Sequence, residues 1–250
     1  MDRYQTQGFI RTRNFFTAKE LEAVTSVVWN FHSSWRRANP QAISSGRVNS
    51  AFLTGAKYLC EADRISLFQF ITSKKIADIL SRLPFEKPAF MNTQLFFNPV
   101  DSQQKNYWHR DPQYHLSLAQ QQQALAGPEV VHVRIPLADE PGIELIPGTH
   151  KRWDSKEELD VRLERSGKKK YHDLSTGLAL PLNKGDILIF SANIIHRGLY
   201  GKDRLALDLL FCEALPELMK FVDGDCLPSP AILDKLENPE PFINSIEAKL

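Results

Sequence analysis

Apolar and polar positions change rhythm twice along the chain. After Thr17, the segment LEAVTSVVWNF places Leu21, Val24, Val28 and Phe31 at three- and four-residue intervals, the spacing of one helix face. Thr17 and Glu20 stand in the Thr-x-x-Glu relation in which each side chain caps the other's backbone N–H, so the helix is expected to begin there. A second helical stretch is expected over about 61–83, where Pro84 cannot continue it. From residue 90 the helical spacing gives way to short runs rich in β-branched and aromatic residues: AFMNTQLFFNPV, NYWHRDPQYHLSL, EVVHVRIPLAD, IELIPGTH, GDILIFSANIIHRG and RLALDLLFCEA. Gly, Pro, Asn and Asp separate these runs, a pattern of many short strands. Such strands predict a sandwich or a barrel-like jelly roll. Within this region SLAQQQQALAG reads as a helix ended by Gly127 and Pro128. Beyond residue 216 the chain returns to loop and helix. The expected fold is mainly β with flanking helices, in one domain. A helical N-terminal part covers about 1–89, a jelly-roll core about 90–213, and a C-terminal extension about 214–250.

The charged segment 155–173, with Lys168, Lys169 and Lys170 in a row, reads as an exposed insertion or lid. Over the whole chain 31 Lys and Arg oppose 30 Asp and Glu. That balance leaves no electrostatic footprint for nucleic acid or an anionic membrane. Cys60, Cys212 and Cys226 are far apart and form no CxxC pair, so reduced thiols are expected. The N-terminus carries early charges and no apolar core, unlike a secretory leader, and no run approaches a membrane span. A cytoplasmic protein is the expectation. The chain also lacks GxxxxGKS, GxSxG and HExxH patterns, which removes the commonest nucleotide-hydrolase, esterase and zinc-protease readings.

The chemistry is carried by Trp108-His109-Arg110-Asp111. On a strand, residues two apart share a face, so His109 and Asp111 present an imidazole and a carboxylate together while Arg110 faces away. They make two-thirds of a 2-His-1-carboxylate triad, which leaves open positions on Fe(II) for a chelating 2-oxo acid and dioxygen. His-x-Asp alone is a weak signal. Support comes 85 residues after Asp111, where His196 follows the apolar run GDILIF, on a strand that a jelly roll can set opposite the first. Arg204 opens RLALDLLF, with Leu205, Leu207 and Leu209 on one face and Arg204, Ala206 and Asp208 on the other. Its planar fork suits a carboxylate such as the distal one of 2-oxoglutarate. The competing reading for Arg204 is a salt bridge to Asp203 or Asp208.

These segments resemble the phytanoyl-CoA dioxygenase family of Fe(II)/2-oxoglutarate oxygenases. The resemblance spans about 91–211 and lies in WHRD, PGIELIPGTH, GDILIF with its following histidine, and Arg-x-Ala-Leu, in that order. It implies a double-stranded β-helix, iron held by His109, Asp111 and His196, and 2-oxoglutarate held by Arg204. It also sets Gln94, on the preceding strand, near the co-substrate. The interval from His196 to Arg204 is short for the family, so a tight loop is expected. An intact carboxylate at Asp111 argues for oxygen insertion and against halogenation. The activity implied is hydroxylation of an aliphatic C–H of a small-molecule or acyl substrate, with release of succinate and CO₂. The alternatives are a same-fold iron enzyme doing epimerisation or desaturation, an inactive jelly-roll binding protein, and a zinc enzyme with the same ligands.

Other residues read as structural. His132 alternates with Val131 and Val133 and faces inward together with Arg134. His150, ending PGTH, reads as structural, with a hydrogen bond near the site. His115 reads as structural, and His32 and His172 carry no pattern. Trp108 is expected in the core, and Trp153 within reach of the mouth of the site.

Overall fold

The computed structural model of the chain describes residues 2–250. Nine strands follow one another: β1 (Phe9–Thr12), β2 (Asn49–Ala51), β3 (Pro88–Phe97), β4 (Val130–Pro136), β5 (Glu140–Leu145), β6 (Leu178–Leu182), β7 (Ile187–Ser191), β8 (His196–Gly198) and β9 (Leu205–Glu213). They form a six-stranded sheet of order β1-β7-β4-β9-β3-β2 and a three-stranded sheet of order β6-β5-β8. Every pairing is antiparallel. This is the mainly β, jelly-roll architecture that the alternating pattern predicts.

Among the described residues, ten α-helices flank the sheets: α1 (Asp2–Gln7), α2 (Ala18–Ala38), α3 (Pro40–Ser44), α4 (Glu61–Ile71), α5 (Lys74–Leu80), α6 (Leu118–Ala124), α7 (Lys156–Arg162), α8 (Pro216–Met219), α9 (Pro230–Leu233) and α10 (Glu240–Lys249). The Thr17/Glu20 capping box is formed at the start of α2. No helix among the described residues is long and apolar enough to cross a membrane. All three cysteines are free thiols.

The period-2 alternation decides what each face of the large sheet buries. Leu95, Val131, Val133, Ile135, Ile187, Ile189, Leu205, Leu207 and Leu209 join one apolar cluster with Leu21, Val28 and Phe31 of α2, Phe68 of α4 and Phe242 of α10. Residues one position off, including His132, Arg134 and Asp208, turn to the opposite face, toward the small sheet. Between the sheets the interior is apolar at one end, where Phe9, Ile143, Leu145, Leu180, Leu182, Leu188, Phe190 and Ile194 pack together. Toward the other end it holds buried charges.

Three expectations need correction. The N-terminal part is not purely helical: β1 pairs with β7 at one edge of the large sheet and β2 with β3 at the other. Strands of four and three residues are too short to show alternation. The 61–83 helix is two helices, because the chain breaks at Thr72, whose Oγ1 donates back to the Phe68 carbonyl at 2.9 Å, and resumes after Ser73. The segment 155–173 is not only an exposed lid. Ser155 caps α7, and Glu158, Val161 and Arg162 of that helix are buried.

Candidate metal centre

His109 and His196 lie opposite one another as an antiparallel bridge. Each donates its backbone N–H to the other's carbonyl at 2.9 Å. The segment around His109 therefore extends the small sheet beyond β8. His196 is the first residue of β8, so it sits in the small sheet although the run before it, β7, belongs to the large one.

Asp111 reaches the same point by a different route from the expected one. Arg110 is extended (φ −116°, ψ 141°), but Asp111 opens a 3₁₀ turn, Asp111–Tyr114. Pro112 stands next, with no N–H for a ladder and φ already suited to a turn. The i, i+2 argument thus holds only up to Arg110. What brings the carboxylate round is the start of the turn, tied by the Asp111 N–H to the Ala192 carbonyl at 3.1 Å.

The ligand-type atoms of His109, Asp111 and His196 all lie within 4.8 Å of one another. Asp111 Oδ1 is 3.5 Å from His109 Nε2 and 3.8 Å from His196 Nε2. Both imidazoles are oriented by the backbone. His109 Nδ1 sits 3.2 Å from the Tyr107 carbonyl and His196 Nδ1 3.0 Å from the Ile194 carbonyl. A carbonyl only accepts, so each Nδ1 carries the proton and each Nε2 turns a lone pair toward the carboxylate. Burial, and then the neighbouring His109, push the His196 imidazole down to about 3, so it is neutral as a ligand must be. Asp111 is held well below the usual carboxylate range: burial opposes ionisation, and His132, His109 and His196 overcome it. Two imidazoles anchored through Nδ1 and one carboxylate, converging on a common point, fit a divalent cation.

The residues next to this cluster are pinned from every side. Arg110, fully buried, donates to the carbonyls of Thr149, Asn193 and Arg152 and pairs with Asp154 at 2.9 Å. Asp154 also holds Arg162 of α7 at 2.6 Å. Arg110 does face away from the triad, but into a buried polar network and not into solvent. The PGTH turn serves the neighbouring strand: Thr149 Oγ1 accepts from the Ile195 N–H at 2.9 Å, one residue before His196. After His196, Arg197 spans Glu144 and Asp173, 2.6 Å from each, and lies 4.5 Å over the Trp108 ring.

The other predicted residues fall as follows. Gln94 lies directly opposite Asp208 in the β3–β9 register, half-buried. Arg204 is buried at the start of β9 and pairs neither with Asp203 nor with Asp208. Its partner is Glu140, 3.1 Å away. The loop between His196 and Arg204 is tight, as expected: a Cβ on Gly198 would stand 2.6 Å from Arg204 Nη2. Trp108 is in the core. Trp153 packs against the guanidiniums of Arg110 and Arg162. His150 is buried beneath Gly8 and beside Tyr4.

Several site residues escape the sequence reading. His132 Nε2 lies 2.8 Å from Asp111 Oδ2, and its Nδ1 lies 3.1 Å from Asp208. Burial alone would lower this imidazole, but Asp111 and then Asp208 hold it up at about 9. Tyr107 and Tyr114 flank His109, with ring centroids 5.3 and 5.7 Å away and their hydroxyls 2.9 Å apart. Alternation in EVVHVRIP is the one signal that pointed His132 inward.

The phytanoyl-CoA dioxygenase (PhyH) family matches residues 4–200. The chain belongs to this family. As a PhyH-family member it is an iron- and 2-oxoglutarate-dependent enzyme. Solved structures share the fold at low identity. The 2-oxoglutarate and 5-hydroxyectoine complex of EctD from S. alaskensis has a TM-score of 0.59 at 16% identity, covering 85% of this chain and 74% of that one. The non-heme alpha ketoglutarate dependent epimerase SnoN from nogalamycin biosynthesis has a TM-score of 0.58 at 16% identity, covering 86% and 79%. AviO1 from Streptomyces viridochromogenes Tue57 has a TM-score of 0.53 at 15% identity, covering 92% and 96%. No curated protein matches the sequence.

Proposed function

We propose that this PhyH-family protein is a 2-oxoglutarate-dependent dioxygenase that hydroxylates an aliphatic C–H of a small molecule. His109, Asp111 and His196 hold Fe(II), and Arg204, with Gln94 nearby, receives 2-oxoglutarate. The carrying observation is the convergence of two Nδ1-anchored imidazoles and one carboxylate within 4.8 Å. Iron so held supplies the oxidative decarboxylation of 2-oxoglutarate to succinate and CO₂ that drives substrate oxidation. The chain's own groups bind, orient and exclude water. The backbone bridge fixes the spacing of the two imidazoles, and the 3₁₀ turn aims the carboxylate between them. Arg204, desolvated beside Glu140, offers a guanidinium to a carboxylate at low local dielectric, where a charge-assisted hydrogen bond is strong. The phenols of Tyr107 and Tyr114, their hydroxyls 2.9 Å apart, form a polar rim beside His109. That rim favours a small polar substrate over a long acyl chain.

The test is a succinate-release screen over a metabolite library with added Fe(II), followed by product mass. A product heavier by one oxygen supports hydroxylation. Substrate-dependent succinate with an isomeric or doubly dehydrogenated product would move the reading to epimerisation or desaturation. Succinate release that is unchanged in Asp111→Ala would contradict the metal assignment.

A further inference from the structure

The interior between the triad and Arg204 contains a second arginine that the iron reading does not use. Arg134 on β4 is buried, and Asp208 on β9 grips it by one edge only, with Nε to Oδ1 at 2.8 Å and Nη2 to Oδ2 at 3.1 Å. The other edge is left over: Nη1 is buried and has no hydrogen-bond partner among the described residues. A buried guanidinium N–H without an acceptor is costly. The position of Arg134 follows from its neighbours. On one side Asp208 also holds His132, which touches Asp111. On the other, Arg134 and Arg204 share the Phe96 ring, with Cζ 4.4 and 5.4 Å from its centroid. Arg134 therefore stands between the metal ligands and Arg204.

Charge counting shows what the free edge is for. Arg204 already gives its Nε to Glu140, whose side chain is fully buried. A dicarboxylate arriving at Arg204 would meet the Glu140 carboxylate, with Asp208 and Asp111 also close by. Arg204, Arg134 and His132 already face Glu140, Asp208 and Asp111, so an incoming carboxylate gains most from a donor that none of these pairs uses. The idle Nη1 of Arg134 is such a donor, preorganised by the grip of Asp208 on the opposite edge.

We propose that Arg134 is a second 2-oxoglutarate-binding residue, its Nη1 donating to the co-substrate while Arg204 takes the far carboxylate. Asp208 is then a positioning residue that locks the Arg134 fork. This inference rests on the co-substrate reading above. The substitution Arg134→Lys would keep the charge beside Asp208 but lose the planar fork, because a compact ammonium has no second nitrogen to stand where Nη1 does while the first is held by Asp208.

The test is calorimetric titration of 2-oxoglutarate into the full chain loaded with redox-inert Mn(II). Wild type is compared with Arg134→Lys and with the charge-balanced pair Arg134→Gln/Asp208→Asn, and the fold is checked by near-UV circular dichroism. Wild type is expected to bind saturably. Both variants are expected to weaken binding roughly tenfold or more, with Mn(II) affinity by dialysis unchanged in Arg134→Lys. A purely structural Arg134 predicts variants that bind 2-oxoglutarate within about twofold of wild type, and that result overturns the inference. Wild type that takes up no 2-oxoglutarate sinks the co-substrate reading itself. If the variants lose the native near-UV signal, the wild-type arginine Cζ–Nη spectrum decides. Two buried guanidinium signals shifting on addition of 2-oxoglutarate support the inference, and one shifting alone overturns it.

Discussion

His109 and His196 exchange both of their backbone hydrogen bonds, at 2.9 Å each, across a chain separation of 87 residues. Two imidazoles on directly opposed residues of an antiparallel pair fall on the same face and close together. A slip of one residue would turn one of them away. The register is held from outside the pair by Thr149, which takes the Ile195 N–H, and by Arg197, which ties the next residue to Glu144 and Asp173. The spacing of the two imidazoles is thus a property of the sheet.

The same logic makes Arg110 a stability residue. Arg110→Met would leave the buried Asp154 carboxylate half-paired, the buried carbonyls of Thr149 and Asn193 without their donor, and the Arg152 carbonyl unpaired at the edge. Breaking a buried pair from one side costs about 3–5 kcal/mol. Denaturant unfolding should show a loss of that order. A loss below about 1 kcal/mol, the scale of a surface ion pair, would show that the network is not what holds the His109–Asp111 segment.

Gly198→Ala tests the closeness of the Arg204 loop. The added Cβ would meet Arg204 Nη2 at 2.6 Å, so the guanidinium has to move. The expected outcome is a raised KM for 2-oxoglutarate together with a stability loss of about 1–3 kcal/mol, because the side chain that has to yield is buried and paired with Glu140. An unchanged KM for 2-oxoglutarate would show that the position of Arg204 does not matter to the co-substrate.

His32 makes folding sensitive to mild acid at a place remote from the triad in sequence. It is buried in α2 against Phe97, with a ring centroid distance of 4.6 Å, and burial followed by Arg36 pushes its pKa down to about 4. Because the folded value lies below the ordinary one of 6.5, the unfolded chain binds this proton more readily. The contribution is complete above pH 6.5 and is lost as pH falls toward 4, at no more than about 1.4 kcal/mol per pH unit. Denaturation between pH 7 and pH 5 should show His32→Phe with a flatter stability profile than wild type. Parallel profiles would contradict this origin of the acid sensitivity.

What the sequence made legible was local. The Thr17/Glu20 capping box, the inward and outward alternation of RLALDLLF and EVVHVRIP, and the His-x-Asp tripeptide are each contained in a few residues, and each is present in the fold. The pairs that complete the interior were not legible. Arg134–Asp208 and Arg204–Glu140 join residues 74 and 64 positions apart, and in sequence each partner is an isolated charge of the kind usually solvated. Arg110 and Arg162 were hidden in the same way, because Asp154 joins them only once α7 has packed. The turn at Asp111 was written in Pro112, but alternation from His109 predicted the same side-chain convergence and so masked the difference.

The most direct test of the metal centre is anaerobic titration of the metal-free protein with Fe(II) and 2-oxoglutarate, followed in the visible region. A 2-oxo acid chelated to Fe(II) in a 2-His-1-carboxylate site gives a weak charge-transfer band. The account predicts that this band saturates at one iron per chain in wild type and fails to form in Asp111→Ala and His196→Ala. A band of wild-type strength in either variant, or none in wild type, would contradict it.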